Sequence, residues 1–259
     1  MEIIVISVVA GICGTGLGGL LTALFGTRTD KMISVFLSFA GGVMTSIVFF
    51  ELIPKSEELS NTAITVIGLF LGVIVVLFLN YILDRISNSG HSKAELHETF
   101  EDFYHEREII TSKASMLRSG MLMFLVISLH TLPEGLALGA AGYHDASLGF
   151  TLAIIIGIHN IPEGMAIAAP LIAGGVNKDK TIMLTLLAGV PTVIGALIGV
   201  LLGGISDVTV ALSFAIAGGA MLYVVFGEIL PQSMIMSKNR IPTISALVGI
   251  VFGFVLTKI

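Results

Sequence analysis

The sequence predicts an all-α polytopic membrane protein of eight transmembrane helices in a 3+2+3 inverted-repeat arrangement, with both termini extracytoplasmic. Three observations predict it. First, 55% of the 259 residues are hydrophobic and only 12% are charged, about half the charge of a soluble domain, with a mean hydropathy of +1.00. Second, eight apolar segments are each close to the roughly 20 residues a spanning helix needs. Third, two pairs of segments repeat each other within the chain.

The spans are expected at 2–26, 32–54, 61–83, 116–142, 147–174, 181–204, 208–231 and 241–257. The first could be mistaken for a signal peptide. It lacks a positive n-region and its apolar run is too long for an h-region, so it reads as a helix of the mature fold. The second and third spans are separated by LIPKSEELSN, where Pro and polar residues break the apolar run. Between the third and fourth lies the one long polar connection, 85–117, read as a cytoplasmic loop with a short solvated helix. The whole chain, 1–259, reads as a single transmembrane domain. Glycine is abundant, 30 residues, as expected where membrane helices approach closely. The single Cys13 excludes a disulfide framework within the chain. A net charge of −5 without a basic patch gives no reason to expect nucleic acid.

Orientation follows from the basic residues. Alternate connections hold eleven of them, from Arg28 and Lys31 through Arg85, Lys93, Arg107, Lys113 and Arg118 to Lys178, Lys180, Lys238 and Arg240. The opposite side holds only Lys55 and Lys258. The first side is therefore expected to be cytoplasmic. Asp207 is expected to cap or precede the seventh helix.

The two repeats carry the chemistry. AGGVMTSIVFFELIPKS at 40–56 matches AGGAMLYVVFGEILPQS at 217–233, including Gly41/Gly218, Met44/Met221, Glu51/Glu228 and Pro54/Pro231. These copies run in opposite directions across the membrane. ISLHTLPEGLALGAA at 127–141 matches IGIHNIPEGMAIAA at 156–169, again in antiparallel spans. Inverted repeats with interrupted central helices are a transporter signature, with the substrate site near the midplane.

Within the second repeat, His130 and Glu134 are four residues apart and share a helix face, as do His159 and Glu163. Two imidazoles and two carboxylates can converge, a donor set for a divalent transition metal. A bare intramembrane carboxylate is costly, and one divalent ion compensates two of them. Pro133 and Pro162 cannot donate to the carbonyls of Leu129 and Ile158, which are expected to be freed by a kink. Gly135 and Gly164 are expected to let helices approach. Simple helix–helix glue explains one buried histidine but not two copies of His-x-x-Pro-Glu-Gly.

HTLPEG and HNIPEG in the fourth and fifth of eight spans resemble the ZIP (Zrt/Irt-like) family of divalent metal transporters, and the resemblance covers essentially the whole chain. It implies a prokaryotic member residing in the cell membrane, with uptake towards the cytoplasm and a homodimeric assembly. It also implies an elevator-like movement of helices 1, 4, 5 and 6 against helices 2, 3, 7 and 8. By the same resemblance His130, Glu134, His159 and Glu163 are the primary metal ligands. Met44 matches a position where some relatives supply a thioether, with ordinary core packing as the alternative. Some relatives hold a second, adjoining ion; the matching positions here are Thr131, Asn160 and Thr192, none anionic. One main ion is therefore expected, with Asn160 able to offer a carbonyl oxygen to a transient second one.

Glu51 and Glu228 read as carboxylates on the path at opposite ends, or as interfacial glutamates ahead of a proline. His91, His97 and His105 stand among acidic residues of the long loop, for which a solvated helix face is the plainer reading. Glu57, Glu58, His144 and Asp145 are expected in outer loops, where they attract cations weakly. No enzyme activity and no resident cofactor are expected; zinc is the first substrate expected, with Fe, Mn, Co and Cd also fitting the ligands. The alternatives are a channel-like facilitator, an intramembrane metallohydrolase, which would need an open coordination position and a general base, and a metal receptor without transport.

Overall fold

The computed structural model describes residues 2–25, 29–87, 112–144, 146–202, 206–237 and 239–258. The loop histidines His91, His97 and His105, and Asp145, lie outside them. Among the described residues the chain is entirely helical. The helices are α1 (Glu2–Phe25), α2 (Lys31–Leu59), α3 (Thr62–Ser87), α4 (Lys113–His144), α5 (Ala146–Ala173), α6 (Lys178–Leu201), α7 (Asp207–Met236) and α8 (Ile241–Leu256). The first seven are long and apolar enough to cross a membrane. At 16 residues, α8 is about 24 Å long, short of a typical hydrocarbon core of about 30 Å.

Local chemistry sets the helix starts. The hydroxyl of Thr29 accepts from the amide of Met32 ahead of α2, and the side chain of Asn177 accepts from Lys180 ahead of α6. Ser206 does the same for Thr209 at α7. The cap of α7 is therefore Ser206, and Asp207 is the first helical residue, where its charge favours the helix N-terminus.

Three helices contain a widened π turn: Val8–Cys13 in α1, Val48–Leu52 in α2 and Val225–Ile229 in α7. In α2 and α7 the turn is followed by Pro54 and Pro231. The residue before each proline donates five residues back, Ile53 to Val48 and Leu230 to Val225. Proline would clash with the carbonyl four residues back, and the wider turn moves that carbonyl away. α6 is interrupted instead at Gly189, just before Pro191.

The helices fall into two groups by contact. α1, α4, α5 and α6 pack on one another, chiefly α4 on α6 and α1 on α5. α2, α3, α7 and α8 form the other group, chiefly α2 on α8 and α3 on α7. The groups meet where α2 lies along α5 and α7 along α4. α2 and α5 are the most central spans, each 67% buried over its most apolar window, whereas α3 is only 22% buried there and is peripheral.

Glycine distribution follows the same division. A Cβ on Gly18 would strike the backbone of Ile161 in α5, and one on Gly164 the backbone of Thr15 in α1. A Cβ on Gly42 would strike the backbone of Ala246 in α8, and one on Gly219 that of Leu69 in α3. Every such close approach among the described glycines lies within a group. The buried core that spans both groups also holds larger side chains, among them Leu37, Met44 and Ile47 on α2 with Ile167 on α5. Small residues lock backbones together; bulky, unbranched or flexible ones leave a surface that can repack.

Candidate metal centre

α4 and α5 run together and carry the paired motif to one place. His130 and Glu134 come from α4, His159 and Glu163 from α5, and all four are buried, none more than 3% exposed. One ligand atom from each lies within 4.8 Å of all the others. Nε2 of His159 is 2.8 Å from Oε1 of Glu134. Nε2 of His130 is 2.9 Å from that same oxygen and 3.2 Å from Oε1 of Glu163, yet makes no hydrogen bond at those angles. Glu134 thus touches both histidines, and the groups aim at a shared point more than at one another.

Many of these atoms make no hydrogen bond: Oε2 of Glu134, both oxygens of Glu163, and Nδ1 of both histidines. Buried polar atoms left unpaired are costly, the more so in a membrane. A divalent cation with bonds of about 2.0–2.2 Å holds tetrahedral ligands about 3.3–3.6 Å apart. The four side chains need only small shifts to reach that spacing, and two carboxylates balance its charge.

The residue after each motif histidine binds backbone rather than the centre. Oγ1 of Thr131 donates to the carbonyl of Ala188 at 3.2 Å, and Nδ2 of Asn160 donates to the carbonyl of Ala10 at 3.0 Å. Both carbonyls are free because the helices that bear them are irregular. In α6 the amide of Thr192 donates to Gly189, leaving Ala188 without its helical donor. In α1 the amide of Gly14 donates to Gly11 and Val9, leaving Ala10 likewise. Thr131 therefore ties α4 to α6, and Asn160 ties α5 to α1. Oδ1 of Asn160 and Oγ1 of Thr192 stay buried without a partner.

The motif glycines allow close approach, as expected, and the structure names the partners. Gly135 lies against the backbone of Thr192 in α6, and Gly164 against Thr15 in α1. Pro133 and Pro162 sit inside continuous helices. Met44 is fully buried in the main core of the protein. An apolar cavity of about 210 Å³ lies between α3, α4 and α7, with His130 in its wall.

Glu51 and Glu228 each take the fourth position of a π turn, and neither belongs to the four-residue centre. Oε1 of Glu51 pairs with Nζ of Lys55 on its own helix at 2.8 Å, and its Oε2 is buried without a partner. Oε2 of Glu228 accepts from Ser119 of α4 at 3.1 Å, and its Oε1 is 3.5 Å from Nη1 of Arg118. Ser119 in turn accepts from Gln232 of α7, and Arg118 donates to Asn80 of α3 at 2.9 Å. The sequence reading missed this cluster because it counted Arg118 only as a cytoplasmic loop charge.

The family model described as ZIP Zinc transporter matches residues 1–259. The chain belongs to the ZIP family. It is 31% identical to the zinc transporter ZupT of Akkermansia muciniphila, covering 100% of this chain and 96% of that one. It is 31% identical to the ZupT of Chlorobaculum parvum, covering 94% and 91%, and 29% identical to that of an Escherichia coli strain, covering 97% and 94%. As a ZIP protein the chain is an integral, multi-pass protein of the cell membrane, and its family is one of transporters rather than enzymes.

Proposed function

We propose that this ZIP protein carries divalent transition-metal ions, zinc foremost, across the membrane into the cytoplasm by alternating access. The observation that carries the reading is the centre formed by His130, Glu134, His159 and Glu163, buried and rich in unpartnered ligand atoms. A resident metal site fixes its histidines through their second ring nitrogen. Here neither Nδ1 has a protein partner, which suits an ion that must leave again. Zinc is favoured by the imidazole–carboxylate set and by the names of the relatives; Fe, Mn, Co and Cd fit the same donors. Met44 and Asn160 are proposed as auxiliary ligands, Asn160 through its free Oδ1, and Glu51 and Glu228 as stations on the path. Thr131 is proposed to act on the path through its hold on α6.

The packing supports an inverted 3+2+3 arrangement. Exchanging α1 with α6, α2 with α7, α3 with α8 and α4 with α5 turns each main helix contact into another: α1–α5 into α6–α4, and α2–α8 into α7–α3. The exchange also pairs the π turns of α2 and α7, and the hydrogen bonds of Thr131 and Asn160. The glycine-locked groups support an elevator-like slide of α1, α4, α5 and α6, carrying the ion, against α2, α3, α7 and α8. Eight spans with both termini outside, and a homodimer, complete the reading.

The test is zinc influx into proteoliposomes, with rising external zinc and competing Fe, Mn, Co or Cd. A carrier gives saturable influx that competing ions inhibit. Influx that stays linear with concentration would favour a channel-like facilitator instead.

A further inference from the structure

The seam between the two helix groups is apolar almost throughout. Among the described residues, every side-chain hydrogen bond or ion pair that crosses it belongs to one cluster: Arg118 and Ser119 of α4 with Asn80 of α3 and Glu228 and Gln232 of α7. Other long-range side-chain bonds stay within a group, as Ser34 to the carbonyl of Ser233, Ser245 to that of Val35, Thr131 to that of Ala188 and Asn160 to that of Ala10. Ser119 and Gln232 are buried, 1% and 3% exposed, and the side chains of Arg118 and Glu228 are 9% and 17% exposed.

The internal repeat makes the cluster one-sided. Arg118 and Ser119 stand twelve and eleven residues before His130; the same offsets from His159 fall on Ser147 and Leu148. Neither of these positions carries a cation to match Arg118. Glu51 finds Lys55 on its own helix instead, at the position where the other repeat has Gln232. One end of the seam is tied across the groups, while at the other Glu51 pairs through Oε1 with Lys55 of its own helix and its Oε2 makes no hydrogen bond. By the basic-residue bias the tied end is cytoplasmic.

We propose that the Arg118–Glu228–Ser119–Gln232 cluster, with Asn80 behind Arg118, is a latch that holds the cytoplasmic end of the seam closed and must part before the ion can leave. Arg118 is a positioning residue, holding α4 against α7 and occupying Glu228 until release. The proposal rests on the transport reading for its purpose, but its test does not require transport.

Met123 is one turn beyond Ser119 on the same face of α4 and fully buried. With Cys13→Ser as background, a Met123→Cys probe is exposed to a membrane-impermeant maleimide from the cytoplasmic side of oriented vesicles without metal. In the latched protein it reacts slowly. Arg118→Gln and Glu228→Gln each raise the rate about five- to thirtyfold, the range for a tie of ordinary strength. The double variant adds little, because both remove one interaction, and the exchange Arg118→Glu with Glu228→Arg restores slow labelling. Ser119→Ala gives a smaller rise and serves if the charge variants fail to fold. Thermal stability and zinc binding at the four-residue centre report the fold in each variant. Unchanged labelling in folded variants overturns the latch, as does an equal rise with Lys55→Gln. Zinc influx is measured in the same vesicles. A wild type that moves no zinc counts against the transport reading, while the labelling rates still decide the latch.

Discussion

Glu134 contacts both histidines through one oxygen, whereas Glu163 reaches only His130. The two copies of the motif are thus unequal in the structure although equal in sequence. Losing an outer-sphere partner of a metal ligand costs about 10–100-fold in affinity, so loss of a ligand should cost at least as much. Glu134→Gln is expected to weaken zinc binding by more than about tenfold, and by more than Glu163→Gln does, in calorimetric titration of the purified protein. Imidazole and carboxylate must both be unprotonated to bind an ion. Apparent zinc affinity is therefore expected to fall as pH is lowered, which titrations at graded pH will check. Thr131→Val removes the bond to Ala188 but no proposed ligand atom. It should lower thermal stability in detergent by about 1 kcal/mol or less and leave zinc affinity nearly unchanged. The spacing of His130, Glu134, His159 and Glu163 was legible from the 3.6-residue period alone. The roles of Thr131 and Asn160 were not, because they depend on carbonyls freed in helices far away in sequence.

At the scale of the element, the capping residues and proline positions announce most helix ends, and each predicted segment coincides with a helix, seven of them long and apolar enough to cross a membrane. The π turns of α1, α2 and α7 are a different matter. Their apolar residues read the same in an α or a π turn, and only Pro54 and Pro231 mark two of them. The motif glycines signal close approach, and the partners are α6 for Gly135 and α1 for Gly164, which the repeat alone could not reveal. Gly164→Val would force α5 away from the backbone of Thr15. Overpacking of this kind costs about 1–3 kcal/mol, to be read as a lowered unfolding temperature in detergent, with zinc affinity falling as α5 shifts.

Across the whole molecule, the four-residue centre lies entirely within one helix group, while among the described residues the side-chain bonds that cross to the other group belong to the Arg118 cluster. The proposed slide needs such a division, since it moves the centre as a body past the other four helices. The internal repeat is legible in the sequence because both copies keep Gly, Met, Glu and Pro in register. The departure from symmetry at Arg118 was present in the same sequence, but it acquires meaning only once Glu228 of α7 is seen beside it. The apolar cavity beside His130, between α3, α4 and α7, lies on the seam where a slide would begin.

The central claim is that the paired His-Pro-Glu motifs build the site through which zinc is carried. Its most direct test is zinc influx into proteoliposomes holding either the wild type or Glu134→Gln, each shown to be folded and equally oriented. The account predicts saturable influx in the wild type and loss of most of it in the variant. Equal influx in the two would contradict it, and would move the pathway away from α4 and α5.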